Sequence, residues 1–222
     1  MIRSAVVIAA VVALAGCGGS SRPQAAPTTP PDPGRTAADS LVRAAATNDT
    51  ASIWQLLSTA SRRRAGGTLT AFDAGQAPAV VRAFAPFTTG PYRVLVSERL
   101  TDTLGVVALA RGSHAYAFPL ALEGGTWHLV LPGKMSIVVL GPQPGSTGPV
   151  AQVGAEVHGS GVGNAVLYVD GQTVEPHVAT AATSATVLGN LPDALPRGRH
   201  SAVVFVSLGN DAAARAWTFK AD

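Results

Sequence analysis

The chain has 222 residues, 13% of them charged and 5% aromatic, with a net charge of +3 and a single cysteine. That length accommodates two cores of about 100 residues each, and one cysteine excludes an internal disulfide or a Cys-based metal site. The positive excess is small and scattered, apart from Arg62, Arg63 and Arg64 at the end of an expected helix. It makes a poor surface for tracking phosphates, so no nucleic-acid partner is expected.

The N-terminus reads as an export signal. Met1 to Ser4 carries one positive charge, Ala5 to Leu14 is wholly apolar, and the small residues Ala15 and Gly16 precede Cys17. Ten helical residues span about 15 Å, half of a bilayer core, which is too short for a transmembrane anchor. The quartet Leu14-Ala15-Gly16-Cys17 resembles the lipobox of bacterial lipoproteins at every position. The resemblance implies cleavage after residue 16 and a diacylglyceryl group on the Cys17 thiol. Residues 1–16 are then a lipoprotein signal peptide, and the protein sits on the extracytoplasmic face of the cell membrane. Two acyl chains, at about 0.8 kcal/mol per buried CH₂, hold a protein there lastingly. Residues 17–35 hold the lipidated Cys and a Pro/Ser/Thr-rich stretch, "GGSSRPQAAPTTPPDPGR", with no apolar side chain larger than Ala. Such a segment cannot offset its ordering entropy and is expected to be a disordered tether.

Helical spacing begins at Thr36. "TAADSLVRAAATND" places Ala37, Ala38, Leu41, Val42 and Ala45 on one side behind a capping-box-like Thr36 and Asp39. "DTASIWQLLSTASRRR" repeats the pattern and ends at Gly66 and Gly67, and a third helix is expected from Gln76 to Ala85, stopped by Pro86. From Tyr92 the period becomes two. "YRVLVSERL", "LGVVALA", "HAYAFPLAL" and "TWHLVLP" read as four strands, the third near an edge or bulge because Pro119 cannot donate to a ladder. Helices followed by an antiparallel meander give an α+β layout. Together with "EGGTWHLVL", this order resembles the nuclear transport factor 2-like (SnoaL-like) cone fold over residues 36–139, with a cystatin-like helix-on-sheet domain as the rival.

The cluster "LGPQPGSTGP" marks a boundary, after which every run alternates. Strands recur about every ten residues, and Asp170-Gly171 is a hairpin signal, which argues a β-sandwich over residues 140–222. "VGNAVLYVDGQTVEPHV", "LPDALPRGRHSAVVFV" and "NDAAARAWTFKAD" are similar to bacterial immunoglobulin-like modules, a resemblance that implies a spacer, adhesion or docking surface without catalytic residues. In the last strand Trp217 and Phe219 are expected to face inward and Thr218 to face solvent.

The fold class expected is thus an α+β cone-like domain followed by an all-β immunoglobulin-like sandwich. Five histidines (His114, His128, His158, His177, His200) show no metal-ligand spacing, and "HGSGVGN" lacks the spacing of a dinucleotide loop, so neither metal nor cofactor is expected. Within a cone, His114, Tyr116 and His128 are the polar groups able to cluster as a pocket, because proton abstraction needs a group of suitable pKa in a dry cavity. The function expected is a non-enzymatic, lipid-anchored binding or assembly protein of the bacterial envelope. Its partners are the membrane through Cys17 and another envelope protein or a small apolar ligand. The alternative is a small-molecule carrier or an isomerase/dehydratase-like enzyme using the cone pocket, and a plain structural stalk is a third reading.

Overall fold

The structure is a computed structural model and describes residues 32–222 apart from 160 and 210. The signal peptide, the lipobox with Cys17 and most of the tether lie outside the described residues.

Among the described residues five helices come first: α1 (Pro33–Ala46), α2 (Thr50–Leu56), α3 (Thr59–Arg64), α4 (Leu69–Ala74) and α5 (Ala77–Thr88). The first begins three residues ahead of the expected Thr36, because the Asp32 carboxylate caps it by accepting from Gly34 N at 2.9 Å. The single helix expected over 49–64 is two. Leu57 is extended and bridges Leu129, and Ser58 then caps α3 by accepting from Ser61 N. Pro86 does not stop α5 but sits in its last turn. There its carbonyl accepts from the Arg111 guanidinium at 2.8 Å, which replaces a bond the ending helix no longer supplies.

Thirteen strands follow: β1 (Arg93–Arg99), β2 (Leu104–Arg111), β3 (His114–Glu123), β4 (Thr126–Leu129), β5 (Ser136–Gly141), β6 (Thr147–Gly148), β7 (Gln152–His158), β8 (Asn164–Val169), β9 (Gln172–Val174), β10 (His177–Thr180), β11 (Ser184–Asn190), β12 (Gly198–Leu208) and β13 (Asp211–Ala221). They form three sheets, ordered β1-β2-β3-β4, β10-β11-β7-β5 and β6-β13-β12-β8-β9. If β5, β7, β8, β10, β11, β12 and β13 are taken as A, B, C, D, E, F and G, the last two sheets read D-E-B-A and G-F-C, which is the immunoglobulin strand order. Their shared core holds Val153, Val187, Leu167, Val204, Trp217 and Phe219. The sandwich includes β5, which pairs with β7 although part of it precedes residue 140.

The cone expected over residues 36–139 is not formed. Strand makes up 46% and helix 23% of the structure, and the helices are five short segments laid on one face of an open four-stranded sheet. A cone needs a concave sheet face left free for a ligand. Here β2 is buried at every position from Leu104 to Ala110. Val107 and Leu109 pack under the helices with Phe84 and Phe118, whereas Val106 and Ala108 pack against Tyr168, Val203 and Phe205 of the sandwich. The described residues are therefore layered: helices, the four-stranded sheet, then the two sheets of the sandwich. Residues Pro31–Asp222 make one compact unit around three cores.

Thr218 is corrected by the same layering. It is 6% exposed, and its hydroxyl donates to Ser113 O at 2.9 Å, because the outer face of β13 is covered by β3. Trp217 and Phe219 do face the sandwich core.

Candidate functional site

His114, Tyr116 and His128 do not converge. Tyr116 lies on the helix-facing side of β3, edge-on to Phe84 with ring centroids 5.3 Å apart. Burial raises its phenol pKa, and the nearby Arg215 charge pulls the other way. His114 shares that face by strand alternation but is the exposed first residue of β3. His128 stands opposite Ala121 on β4, while Trp127 stands opposite Leu122, which places His128 on the other face from Tyr116. Its Nδ1 is buried without a hydrogen-bond partner among the described residues. No cluster of three or more metal-ligating side chains occurs among the described residues.

A constellation absent from the sequence reading forms around Asp170. The Asp170-Gly171 hairpin joins β8 and β9 with φ values of 51° and 80°, the paired positive angles of a type I′ turn. Gly171 meets a second constraint, since a Cβ there would lie 2.8 Å from Leu95 O in the four-stranded sheet. One Asp170 oxygen accepts from Ser201 N at 2.8 Å and from the Ser201 hydroxyl at 3.1 Å. The other meets His200 Nδ1 at 2.6 Å, and His200 Nε2 meets Pro196 O at 2.7 Å. Both ring nitrogens therefore face acceptors. A neutral imidazole supplies one donor and the imidazolium two, so the site favours the charged ring. Burial works against that charge, but the Asp170 carboxylate and the Pro196 carbonyl outweigh it and raise the His200 pKa. Ser, His and Asp are all present, yet this is not a nucleophile with its base. Ser201 donates to the carboxylate rather than to the imidazole, whose far nitrogen is occupied. The cluster ties the loop before β12 to the hairpin.

Hollows of about 600, 480, 360 and 340 Å³ among the described residues are large enough for a ligand. A shallow one of about 600 Å³ between α2, α4 and α5 is lined by Asn48, Asp73 and Arg82. A better enclosed groove of about 360 Å³ runs along the junction of the four-stranded sheet and the sandwich. Its walls are residues 115–119 of β3, residues 212–216 of β13, and Met135, Ser136 and Ile137. Arg215 is its charged group, exposed and without an acidic partner among the described residues. The one sequence signal for this groove was "NDAAARAWTF", a strand of alanines interrupted by a lone arginine.

No family model and no curated protein matches the chain. Among solved structures it is similar to PcoC, a methionine-rich copper resistance protein from Escherichia coli, at 17% identity and a TM-score of 0.26, covering 36% of this chain and 91% of that one. It is also similar to a pair of tandem immunoglobulin domains of titin at 8% identity and a TM-score of 0.28, covering 54% and 62%. A complex of Dpr2 Ig1-Ig2 with DIP-Theta matches at 10% identity and a TM-score of 0.27, covering 55% and 63%. At scores this low the strand order of the chain itself carries the immunoglobulin-like assignment. The C-terminal half is an immunoglobulin-like β-sandwich.

Proposed function

We propose that this protein is a non-enzymatic binding or assembly component of the bacterial cell envelope, held on the extracytoplasmic membrane face by lipid on Cys17, with the sandwich as its docking module. The anchor rests on Leu14-Ala15-Gly16-Cys17 and the apolar run before it. The observation that carries the binding reading is the filled interior of the first half. The interior of the expected cone is filled by Phe72, Phe84, Phe87, Phe118 and Ile53, each at most 2% exposed. The surface, by contrast, keeps large apolar groups outside, with Val138 at 50% and Leu140 at 46% exposure on β5.

The test is made in intact cells. An alkyne fatty acid is expected to label the protein and Cys17→Ala to abolish the label and release the protein from membranes. Photo-crosslinkers at Val138 and at Arg215 are expected to give discrete adducts with an envelope protein. A Cys17→Ala protein that stays with membranes through a high-salt wash refutes the anchor, and adducts from neither position refute the binding reading.

A further inference from the structure

We propose that β10 is a self-pairing edge, through which two copies of this chain join their β10-β11-β7-β5 sheets antiparallel about a two-fold axis at Ala179. The proposal deepens the assembly function above, since its geometry stands on β10 alone while its strength in the cell rests on the anchor at Cys17. Among the described residues six strands bound the three sheets, and five of them are guarded or very short. β1 carries Arg93 and Arg99 and is bulged between Val94 and Val96. β4 is covered from the helical half, where Leu57 bridges Leu129 and Ser58 N donates to Leu129 O at 2.9 Å. β5 breaks register between Val139 and Gly141, and the Gln143 side-chain amide donates to Val139 O at 3.2 Å and to Leu140 O at 3.1 Å. β6 and β9 have only two and three residues. Charges, bulges, covers and shortness are the means by which an edge is kept from accepting another strand.

β10 lacks the first three. Its register with β11 is unbroken, it holds no Lys, Arg, Asp, Glu or Pro, and every residue from His177 to Thr183 is exposed. The direction of its backbone groups follows from the turn beyond it. Ala181 N donates to Ser184 O at 2.7 Å, so the odd-numbered residues bond to β11, whereas Val178 and Thr180 aim their N–H and C=O groups outward. No strand lies on that side among the described residues. Val178 stands opposite Val187 on the core-facing side of the sheet, yet it is 37% exposed because it borders the open edge.

Symmetry selects a second copy as the occupant. Opposed residues of an antiparallel pair exchange two hydrogen bonds at every second position, and the outward residues Val178 and Thr180 are two apart. With Ala179 on the axis, Val178 faces Thr180 of the second copy and Thr180 faces its Val178, so every outward N–H and C=O of β10 is used in four bonds. Moving the axis to Val178 brings in Pro176, which has no N–H, and moving it to Thr180 brings in Ala182, in the loop to β11. In the Ala179 register His177 meets Ala181, so no like charges are opposed, and Val178 gains a β-branched neighbour. Residues 177–181 of each copy make a smaller contact than the standard interface of about 1,200–2,000 Å². The pairing is therefore weak in free solution and is favoured where anchoring on one membrane concentrates the chains.

The test is disulfide trapping of the full chain under a mild oxidant, read on non-reducing gels. Opposed Ala179 residues of a non-hydrogen-bonded pair have Cα atoms about 4.5 Å apart, within disulfide reach, whereas the two Ala181 residues are about 13 Å apart. Ala179→Cys is expected to form dimer at least tenfold faster than Ala181→Cys. Adding Thr180→Pro, which removes an outward N–H and leaves the β11 ladder intact, is expected to slow that trapping about tenfold or more. Thr180→Lys repeats the test with the backbone unaltered, should the proline variant fail to fold. Each variant is assayed in cell membranes, with Cys17 in place, and as a Cys17→Ala chain at about 1 mM, the effective concentration that tethering supplies. Selective trapping in the Cys17→Ala chain but not in membranes supports the pairing and counts against the anchor alone. Equal rates at Ala179 and Ala181, no dimer in either setting, trapping unchanged by Thr180→Lys, or adducts of Ala179→Cys with another protein in place of the dimer overturns the proposal.

Discussion

Phe205→Ala measures whether the two halves are one folding unit. Phe205 has no exposed surface, and with Val203 it projects from β12 onto Val96, Val106 and Ala108 of the four-stranded sheet. Truncation removes a buried ring and leaves a cavity between two sheets, at a cost of about 3–5 kcal/mol. That is a large share of a total stability of about 5–15 kcal/mol. If the sandwich folded as a separate body, the same face would meet water and the change would fall within about 0.5 kcal/mol. Urea unfolding is followed at two sets of probes, Trp54 and Trp127 in the first half and Trp217 in the second, separated by Trp→Phe variants. The expected result is one transition at every probe, moved together by Phe205→Ala. A loss below about 1 kcal/mol, or an unmoved transition at Trp54 and Trp127, refutes the shared core.

Three further outcomes follow from the same contacts. Thr218→Ala removes the hydroxyl that donates to Ser113 O between the sheets and should cost about 1–2 kcal/mol in denaturant unfolding, where a solvent-facing threonine would cost almost nothing. Tyr168→Phe deletes the hydroxyl that donates to Glu98 Oε2 at 2.7 Å across the same junction, and should lower stability by about 1–3 kcal/mol at neutral pH. His200 has a folded pKa raised above its unfolded value of about 6.5, so its contribution is complete below that value and is lost as pH rises through the folded pKa. The urea midpoint should therefore fall as pH rises across that window, and His200→Gln should flatten the fall.

The legible parts of the sequence were those in which one strand face meets water. The phase of β3, with Tyr116, Phe118 and Leu120 on one side, was readable, as were the Asp170-Gly171 turn and the inward Trp217 and Phe219. The error lay in strands buried on both faces. "LGVVALA" in β2 and "SAVVFVS" in β12 are apolar at odd and even positions alike, the pattern of strands covered on both sides. Read as alternating, they leave one face of each sheet free, which invites a cone on one side and a solvent-facing Thr218 on the other. The junction at Asp170 was hidden for a different reason. His200 and Ser201 lie thirty residues on, and only the β8–β12 register, with Ala202 opposite Val169, brings them to the hairpin. The groove depends on where β4 stops pairing with β3, and no side-chain pattern records that.

The junction between the halves has a consequence for how the chain is made. Synthesis proceeds from the N-terminus, and the face of the four-stranded sheet that carries Val96, Val106, Ala108 and Ala117 emerges well before Ala212 and Ala216, which cover it. Throughout that interval a greasy plane of sheet faces the medium, and a nascent helical half cannot reach its final stability. A chain truncated ahead of β13 is therefore expected to leave part of that face uncovered and to lose stability in the shared core.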